Sequence, residues 1–371
     1  MNDVTELPPI GSKGPPVHPI PASIDGLTPA WLTDILSEDR PGVVINDVAI
    51  DHVIHGTTSK ICIVLDRNQV AIDAGLPDRM CLKVNWEAHA SYTLNRAVWL
   101  NEGRFYRYMR PYLPAPAPAG YYASYDADTG QGLILMEDLR AQGARFGSNG
   151  EPLSVDQMAA ALEDLGDLHA AWWDSPVLDQ FEWLDKSMGG PTFVDRYGGA
   201  KGLQELIAPP ERAATIAPEH QDAEIWVKAM NRLVTSELGS DAPRCLIHGD
   251  THLGNSYYLP GSDTLRWLDW QLVRKGRPAR ELNYTLGCGL DIETRRKSEQ
   301  DLIRHYLGYM KAKGIDVGSF DSFWRDYIQW PIWGFLCWAV TGDGWQPVPV
   351  IHETMRRFAT EIDDYGSFRG L

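Results

Sequence analysis

The sequence predicts an α+β fold in two lobes, a small antiparallel-sheet N-terminal lobe and a larger, mainly helical C-terminal lobe. Three observations predict it. Between residues 43 and 136 most apolar residues fall in short, strand-length runs separated by turn residues. From about Ser154 the pattern changes to helical period. A chain of 371 residues also has room for two ordinary domains. The expected divisions are a flexible arm over residues 1–24, an N-terminal lobe over 25–138 and a C-terminal lobe over 139–371.

The elements follow in order. The arm is rich in proline and glycine. A helix then starts at Thr28, the N-cap, with Pro29 at the first helical position and Trp31, Leu32, Ile35 and Leu36 on one face. Val43 to Ile54 and Lys60 to Leu65 read as strands joined by the turn His55-Gly-Thr-Thr-Ser59, and Arg79 to Asn85 as a third strand. A helix is expected from roughly Ala90 to Met109, broken by the proline-rich stretch Pro111 to Gly120. Gly120 to Tyr125 and Gly132 to Met136 form a further hairpin. Past Ser154, Asp156 to Trp173 places Met158, Leu162, Leu165, Leu168 and His169 on one side of a helix.

Composition narrows the function classes. With 34 Lys and Arg against 50 Asp and Glu, the formal charge of −16 argues against nucleic acid as a main partner. The five cysteines (Cys62, Cys81, Cys245, Cys288 and Cys337) are scattered, without a CxxC pair, which fits reduced thiols. The first residues lack the basic and apolar segments of a secretory signal, and no apolar run is long enough to span a bilayer. A cytoplasmic protein without a membrane or obligatory protein partner is expected.

The chemistry concentrates in Leu246-Ile-His-Gly-Asp-Thr-His-Leu-Gly-Asn255 and, fourteen residues after that Asn, Asp269-Trp-Gln271. Apolar runs deliver Asp250 and Asp269 to strand ends or tight loops. This is the order phosphoryl transfer needs: Asp250 as base for an acceptor hydroxyl, Asn255 and Asp269 as hard oxygen ligands for Mg²⁺. Lys83 stands as a lone charge in the strand Met80-Cys-Leu-Lys-Val84, where burial is costly without a partner, and Glu102 on the next helix is the expected partner; the alternative is an exposed Lys and a solvated Glu. The turn residues Thr57, Thr58 and Ser59 offer hydroxyls and backbone donors to phosphates, or are simply a hairpin turn. Gly132 to Leu139 ends a strand as an inter-lobe hinge would: the Glu137 carbonyl and Leu139 amide bracketing an adenine edge, Met136 packing on the ring. The alternative is a strand followed by a capping acid. No GxxxxGK[ST] occurs, so a P-loop is excluded. His248, Asp250 and His252 alternate, so a zinc hydrolase site is a competing reading. Trp330, Trp333, Cys337 and Trp338 recur at helical spacing, either as core or, with Trp172, Trp173 and Trp345, as the lining of an apolar or cation-accepting pocket.

These residues resemble the aminoglycoside phosphotransferase and choline kinase superfamily, and most closely its ecdysteroid kinase-like branch. Carrying the resemblance are Met136-Glu-Asp-Leu139, Leu168-His-Ala-Ala-Trp-Trp-Asp-Ser-Pro176, His248 to Asn255, Leu268-Asp-Trp-Gln271 and Gly276 to Tyr284, continuing to Arg295-Arg296. The resemblance implies a protein-kinase-like bilobal fold and ATP- and Mg²⁺-dependent phosphorylation of a hydroxyl on a small molecule. It implies Lys83 on the α and β phosphates, Glu102 as its ion-pair partner, Asp250 as catalytic base, and Asn255 and Asp269 on Mg²⁺. Residues 25–138 would then be the ATP-binding lobe and 139–371 the catalytic and acceptor-binding lobe. Glu281 stands where the family usually has Asp, a change expected to alter only a structural contact. Gln271 stands where a protein kinase has Gly, in keeping with a small-molecule acceptor. The alternative from another class is a catalytically silent nucleotide-binding module of the same fold. Among acceptors, the aromatic content and the branch lean toward an apolar alcohol over an amino alcohol or aminosugar.

Overall fold

A computed structural model describes residues 14–56, 58–86, 96–113, 117–184 and 192–368. Thr57, residues 1–13 of the expected arm and the expected helix start at Ala90 lie outside them. The chain divides into two compact units. The first holds the residues up to Arg145 together with Leu259–Ser262 and Trp267–Val273; the second holds Phe146–Tyr258, Asp263–Arg266 and Arg274–Leu371. Asp269 therefore belongs to the first unit, and Asp250 and Asn255 to the second.

The first unit is built on five antiparallel strands, β1 (Ile45–Ile54), β2 (Ser59–Arg67), β3 (Arg79–Val84), β4 (Gly120–Asp126) and β5 (Gln131–Glu137), in the order β1-β2-β3-β5-β4. Helix α1 (Pro29–Ser37) starts as the sequence predicts: Thr28 Oγ1 accepts from the Trp31 amide at 3.2 Å, with Pro29 next. It buries Leu32, Ile35 and Leu36 in one apolar cluster that also holds Ile61, Ile63, Leu65, Met80, Leu82 and Val84 of β2 and β3. Because strand side chains alternate, this leaves Lys60, Cys62, Cys81 and Lys83 on the opposite face. The register sets Lys60 directly across from Lys83 and Cys62 across from Cys81. After the short helix α2 (Gln69–Asp73), α3 (Arg96–Tyr108) packs on β4 and β5. Two glycines permit that approach: a Cβ on Gly132 would lie 2.0 Å from the Trp99 carbonyl oxygen, and one on Gly103 2.5 Å from that of Ser124.

The second unit is mainly helical: α4 (Val155–Ala171), α5 (Thr192–Asp195), α6 (Gly199–Ile207), α7 (Pro210–Ala213), α8 (Ala223–Leu238), α9 (Pro278–Gly289), α10 (Ile292–Ala312), α11 (Phe320–Tyr327), α12 (Pro331–Ala339) and α13 (Val348–Tyr365). Ser154 and Gln157 close a capping box at the start of α4, with the apolar face the sequence marks buried inward. Every residue of α9 is buried, so it is the central helix, with α4, α10, α11, α12 and α13 around it. Before it, Cys245–Ile247 and Arg274–Gly276 pair antiparallel. The fold is thus the α+β class the sequence predicts. No helix among the described residues is long and apolar enough to cross a membrane.

Candidate active site

In the first unit Lys83 is buried, and its Nζ lies 2.6 Å from Glu102 Oε2 and 2.8 Å from Asp269 Oδ1. Burial alone pulls an ammonium pKa down. Here the charges of Asp269 and Glu102 outweigh it and hold Lys83 above its ordinary value. Burial raises the Glu102 pKa, Lys83 opposing and Asp269 adding to the rise. The other oxygen of Glu102 accepts from the Trp270 amide at 3.1 Å, and the Trp270 ring stacks on Phe105, three residues after Glu102 on α3, at 4.4 Å. Asp269 itself has φ 65°, a left-handed conformation uncommon outside glycine.

The sequence reading missed Lys60. It shares a sheet face with Lys83, is half-buried, and has no hydrogen bond or ion pair with any described residue. Burial, and then the Lys83 charge, push its pKa down. Its alternation with Ile61 was the available signal, but the pairing with Lys83 depends on register. Thr58, in the turn before β2, is buried with its hydroxyl unpartnered among the described residues, and Ser59 is buried at the start of β2. At the other end of the sheet Met136 and Glu137 close β5; Glu137 Oε1 accepts from the Ala119 amide at 2.8 Å, and Leu139 is buried in the turn that follows.

In the second unit the strand Cys245–Ile247 ends in His248, and Gly249, at φ 85°, turns the chain to present Asp250. The loop is clamped from α9. The Glu281 carboxylate accepts from the amides of His248 at 3.1 Å and Gly249 at 2.6 Å, and from His169 Nε2 at 2.9 Å; His169 Nδ1 meets the Tyr306 hydroxyl at 2.8 Å. Burial pushes Glu281 up, but the His169 hydrogen bond and nearby partners win, holding it below its usual value. The Asp250 carboxylate accepts from Asn255 Nδ2 at 3.0 Å and from the Tyr284 hydroxyl at 3.2 Å. Burial, and then the Asp250 charge, raise the Tyr284 pKa, so its hydroxyl keeps its proton. With its amide nitrogen also on the Asp250 carbonyl, Asn255 keeps Oδ1 without a partner among the described residues. Tyr284 and the full grip of Glu281 were not foreseen, since both depend on α9 folding back onto the loop.

The histidines do not form a metal cluster. His248 Nδ1 accepts from the Asp250 amide at 3.3 Å, while His252 Nε2 lies 3.9 Å from Asp250 Oδ2 with its ring edge-on to Trp338. Among the described residues no group of three or more His, Cys, Asp and Glu is placed to hold a metal ion, so the zinc reading gains no support. Trp330, Trp333 and Trp338 are buried and Trp345 is exposed. A cation does sit on the first two indoles, but it is the protein's own: Arg280 lies 4.5 Å from the Trp333 centroid and 5.8 Å from that of Trp330.

The sequence model of the Ecdysteroid kinase-like family matches residues 103–318. The chain belongs to this family. The matched span includes Asp250, Asn255, Asp269 and Glu281, while Lys60, Lys83 and Glu102 precede it. An uncharacterized oxidoreductase of Caenorhabditis elegans, dhs-27, is 26% identical over 216 residues, covering 54% of this chain and 25% of that protein. The chain thus spans about a quarter of that relative's length. Among solved structures, a Plasmodium vivax ethanolamine kinase aligns over 91% of this chain and 87% of its own at 11% identity and a TM-score of 0.48. A choline kinase from Cryptosporidium parvum aligns over 92% and 95% at 13% identity and a TM-score of 0.48. A GDP complex of an aminoglycoside 2'-phosphotransferase aligns over 91% and 99% at 12% identity and a TM-score of 0.45. Family membership rests on the sequence match, and gives the chain a kinase-like, phosphotransferase-type fold.

Proposed function

We propose that the protein is a small-molecule kinase that transfers the γ-phosphoryl group of ATP to a hydroxyl, with Asp250 as catalytic base. The observation that carries this reading is the Asp250 carboxylate, oriented by Asn255 Nδ2 and the Tyr284 hydroxyl on a loop pinned by Glu281. A carboxylate so fixed accepts the acceptor's proton as its oxygen bonds to the γ-phosphorus; the bond from that phosphorus to the bridging oxygen breaks, and ADP leaves. Residues 25–138 serve as the nucleotide lobe and 139–371 as the catalytic and acceptor lobe. Lys83 binds the α and β phosphates, with Glu102 holding its ammonium in place. Lys60 and the Thr58 hydroxyl, both without partners among the described residues, add cationic and neutral donors to the same end of the sheet. Ser59 supplies a further donor, and Met136, Glu137 and Leu139 flank the adenine.

The donor chemistry fits Mg²⁺. Asn255 Oδ1 is an open hard oxygen and Asp269 supplies a carboxylate, so these two residues would hold it. When bound, Mg²⁺ would supply charge neutralisation for the phosphates. A cytoplasmic setting is part of the proposal, supported by five cysteines that are all free thiols.

Transfer of labelled γ-phosphate from Mg·ATP to a panel of hydroxylated acceptors tests the reading. Asp250→Asn is expected to lose about 10²- to 10⁴-fold in transfer while still binding Mg·ATP. Full activity in that variant would remove Asp250 from the role of base. Tight Mg·ATP binding with no transfer to any acceptor would favour the silent nucleotide-binding module.

A further inference from the structure

Arg280, on the first turn of α9, is 3% exposed, yet its guanidinium makes no hydrogen bond or ion pair with any described residue, and Nη2 is fully buried without a partner. Its direct contacts among the described residues are aromatic, the rings of Trp333 and Trp330, while Glu237 and Glu281 act on it by charge without a hydrogen bond or ion pair. The carboxylates around it are committed elsewhere. Glu281 holds His169 and the Asp250 loop. Glu237 takes Arg277 at 2.5 Å and Arg244 at 3.4 Å, and Asp326 takes Arg277 at 3.1 Å. A second buried guanidinium, Arg274, stands near, and burial together with its charge holds the Arg280 pKa down to about 9. A buried, unpaired cation is strongly unfavourable, and the partnerless donors on Nη2 are an unmet demand for an anion.

Its position ties that demand to the Asp250 loop. Arg280 and Tyr284 are four residues apart on α9 and so share a face, and the Tyr284 hydroxyl touches Asp250. Trp333, against Arg280, and Trp338, against His252, likewise sit on α12. Four residues, about 6 Å of helical rise, separate Arg280 from Tyr284 along α9.

We propose that Arg280 is an oxyanion subsite for the acceptor, so that the molecule phosphorylated is a hydroxylated acid whose hydroxyl meets Asp250 while its carboxylate, or a sulfate or phosphate in its place, meets the guanidinium. The word acceptor rests on the kinase reading; the anion site does not. Such an acceptor departs from the lean toward a neutral apolar alcohol: the indoles would give the ligand's body an apolar wall, and Arg280 would give it a charge requirement. Entry of the anion displaces an indole from the guanidinium, which makes tryptophan emission a readout independent of turnover.

The test is a matched series of ω-hydroxycarboxylates, ω-hydroxyalkyl sulfates and neutral ω-hydroxy methyl esters, followed by thermal shift and tryptophan fluorescence on the full chain, with Mg·ATP as a separate arm. The expected result is a rise in melting temperature and a change in emission with one or both anionic classes and none with the esters. Arg280→Met should abolish that response, melt higher than wild type without ligand, and keep its Mg·ATP shift; Arg280→Lys should retain a weakened response. Equal responses to acids and esters, no response to either anionic class, or an Arg280→Met protein that still responds would overturn the proposal. An anion response in a wild-type protein that ignores Mg·ATP would uphold the subsite and sink the kinase reading instead.

Discussion

Lys83 in the first unit and Arg280 in the second are both buried cations, but the protein has treated them in opposite ways. Lys83 has two carboxylates in contact, one of which also holds the next loop by its amide. Arg280 has none among the described residues. Arg295, also in the second unit, lies at the other extreme, with Glu299 at 3.1 Å, Glu361 at 3.6 Å, and Asp364 in contact as well. A cation with its counter-charges supplied by the chain is part of the scaffold whatever else it does. One without them has room for a charge from outside, the role proposed for Arg280.

The largest effect that could break this comparison is on Lys83. Lys83→Met leaves Glu102 and Asp269 buried side by side without a cation and should cost about 3–5 kcal/mol of stability, measured by urea unfolding. Adding Glu102→Gln should restore part of the loss, and strict additivity of the two changes would mean the pair is not coupled. Arg280→Met should move stability the other way, upward by about 1–2 kcal/mol in the ligand-free protein. A loss there would show that the guanidinium is a structural member after all.

A pH effect is expected in the Arg295 cluster. Burial pushes Glu361 up to about 8, against the opposing charge of Arg295, so the folded protein holds that proton more tightly than the unfolded chain does. The stability this contributes is whole below the ordinary value of 4.5 and drains away as pH climbs through about 8. Melting temperature should fall steadily over that interval as the proton is lost. In Glu361→Gln the slope should flatten, and an unchanged slope would assign the effect elsewhere. Smallest in stability is Lys60→Met, expected to shift unfolding by less than about 0.5 kcal/mol while weakening Mg·ATP binding by roughly tenfold in calorimetry.

Much of the frame was legible because its signals are local. Thr28 and Pro29 announce α1, short apolar runs bounded by turn residues mark β2 and β3, and a lone Lys83 in an apolar strand demands a counter-charge by its own chemistry. Distances along the chain also put Asp250, Asn255 and Asp269 forward as a set. What the sequence hid was whatever depends on pairing between distant segments. Lys60 became interesting only once strand register set it opposite Lys83. Glu281 looked like a minor departure from a family pattern until its carboxylate was found to grip two amides and His169. The tryptophans of α12 were readable as either core or pocket, and Arg280 between them belongs to an element 50 residues upstream of Trp330.

The stack of Phe105 on Trp270 has a mechanical side. Glu102 and Phe105 lie one turn apart on α3, and they take hold of the segment after Asp269 twice, by its amide and by its indole. Helix and loop are thereby geared together: a displacement of α3 drags Asp269 along instead of letting the helix slide past it. Any influence that reaches α3, from a bound molecule or a distant substitution, therefore acts on Lys83 and Asp269 in one stroke, and amide exchange in the two segments should rise and fall in step.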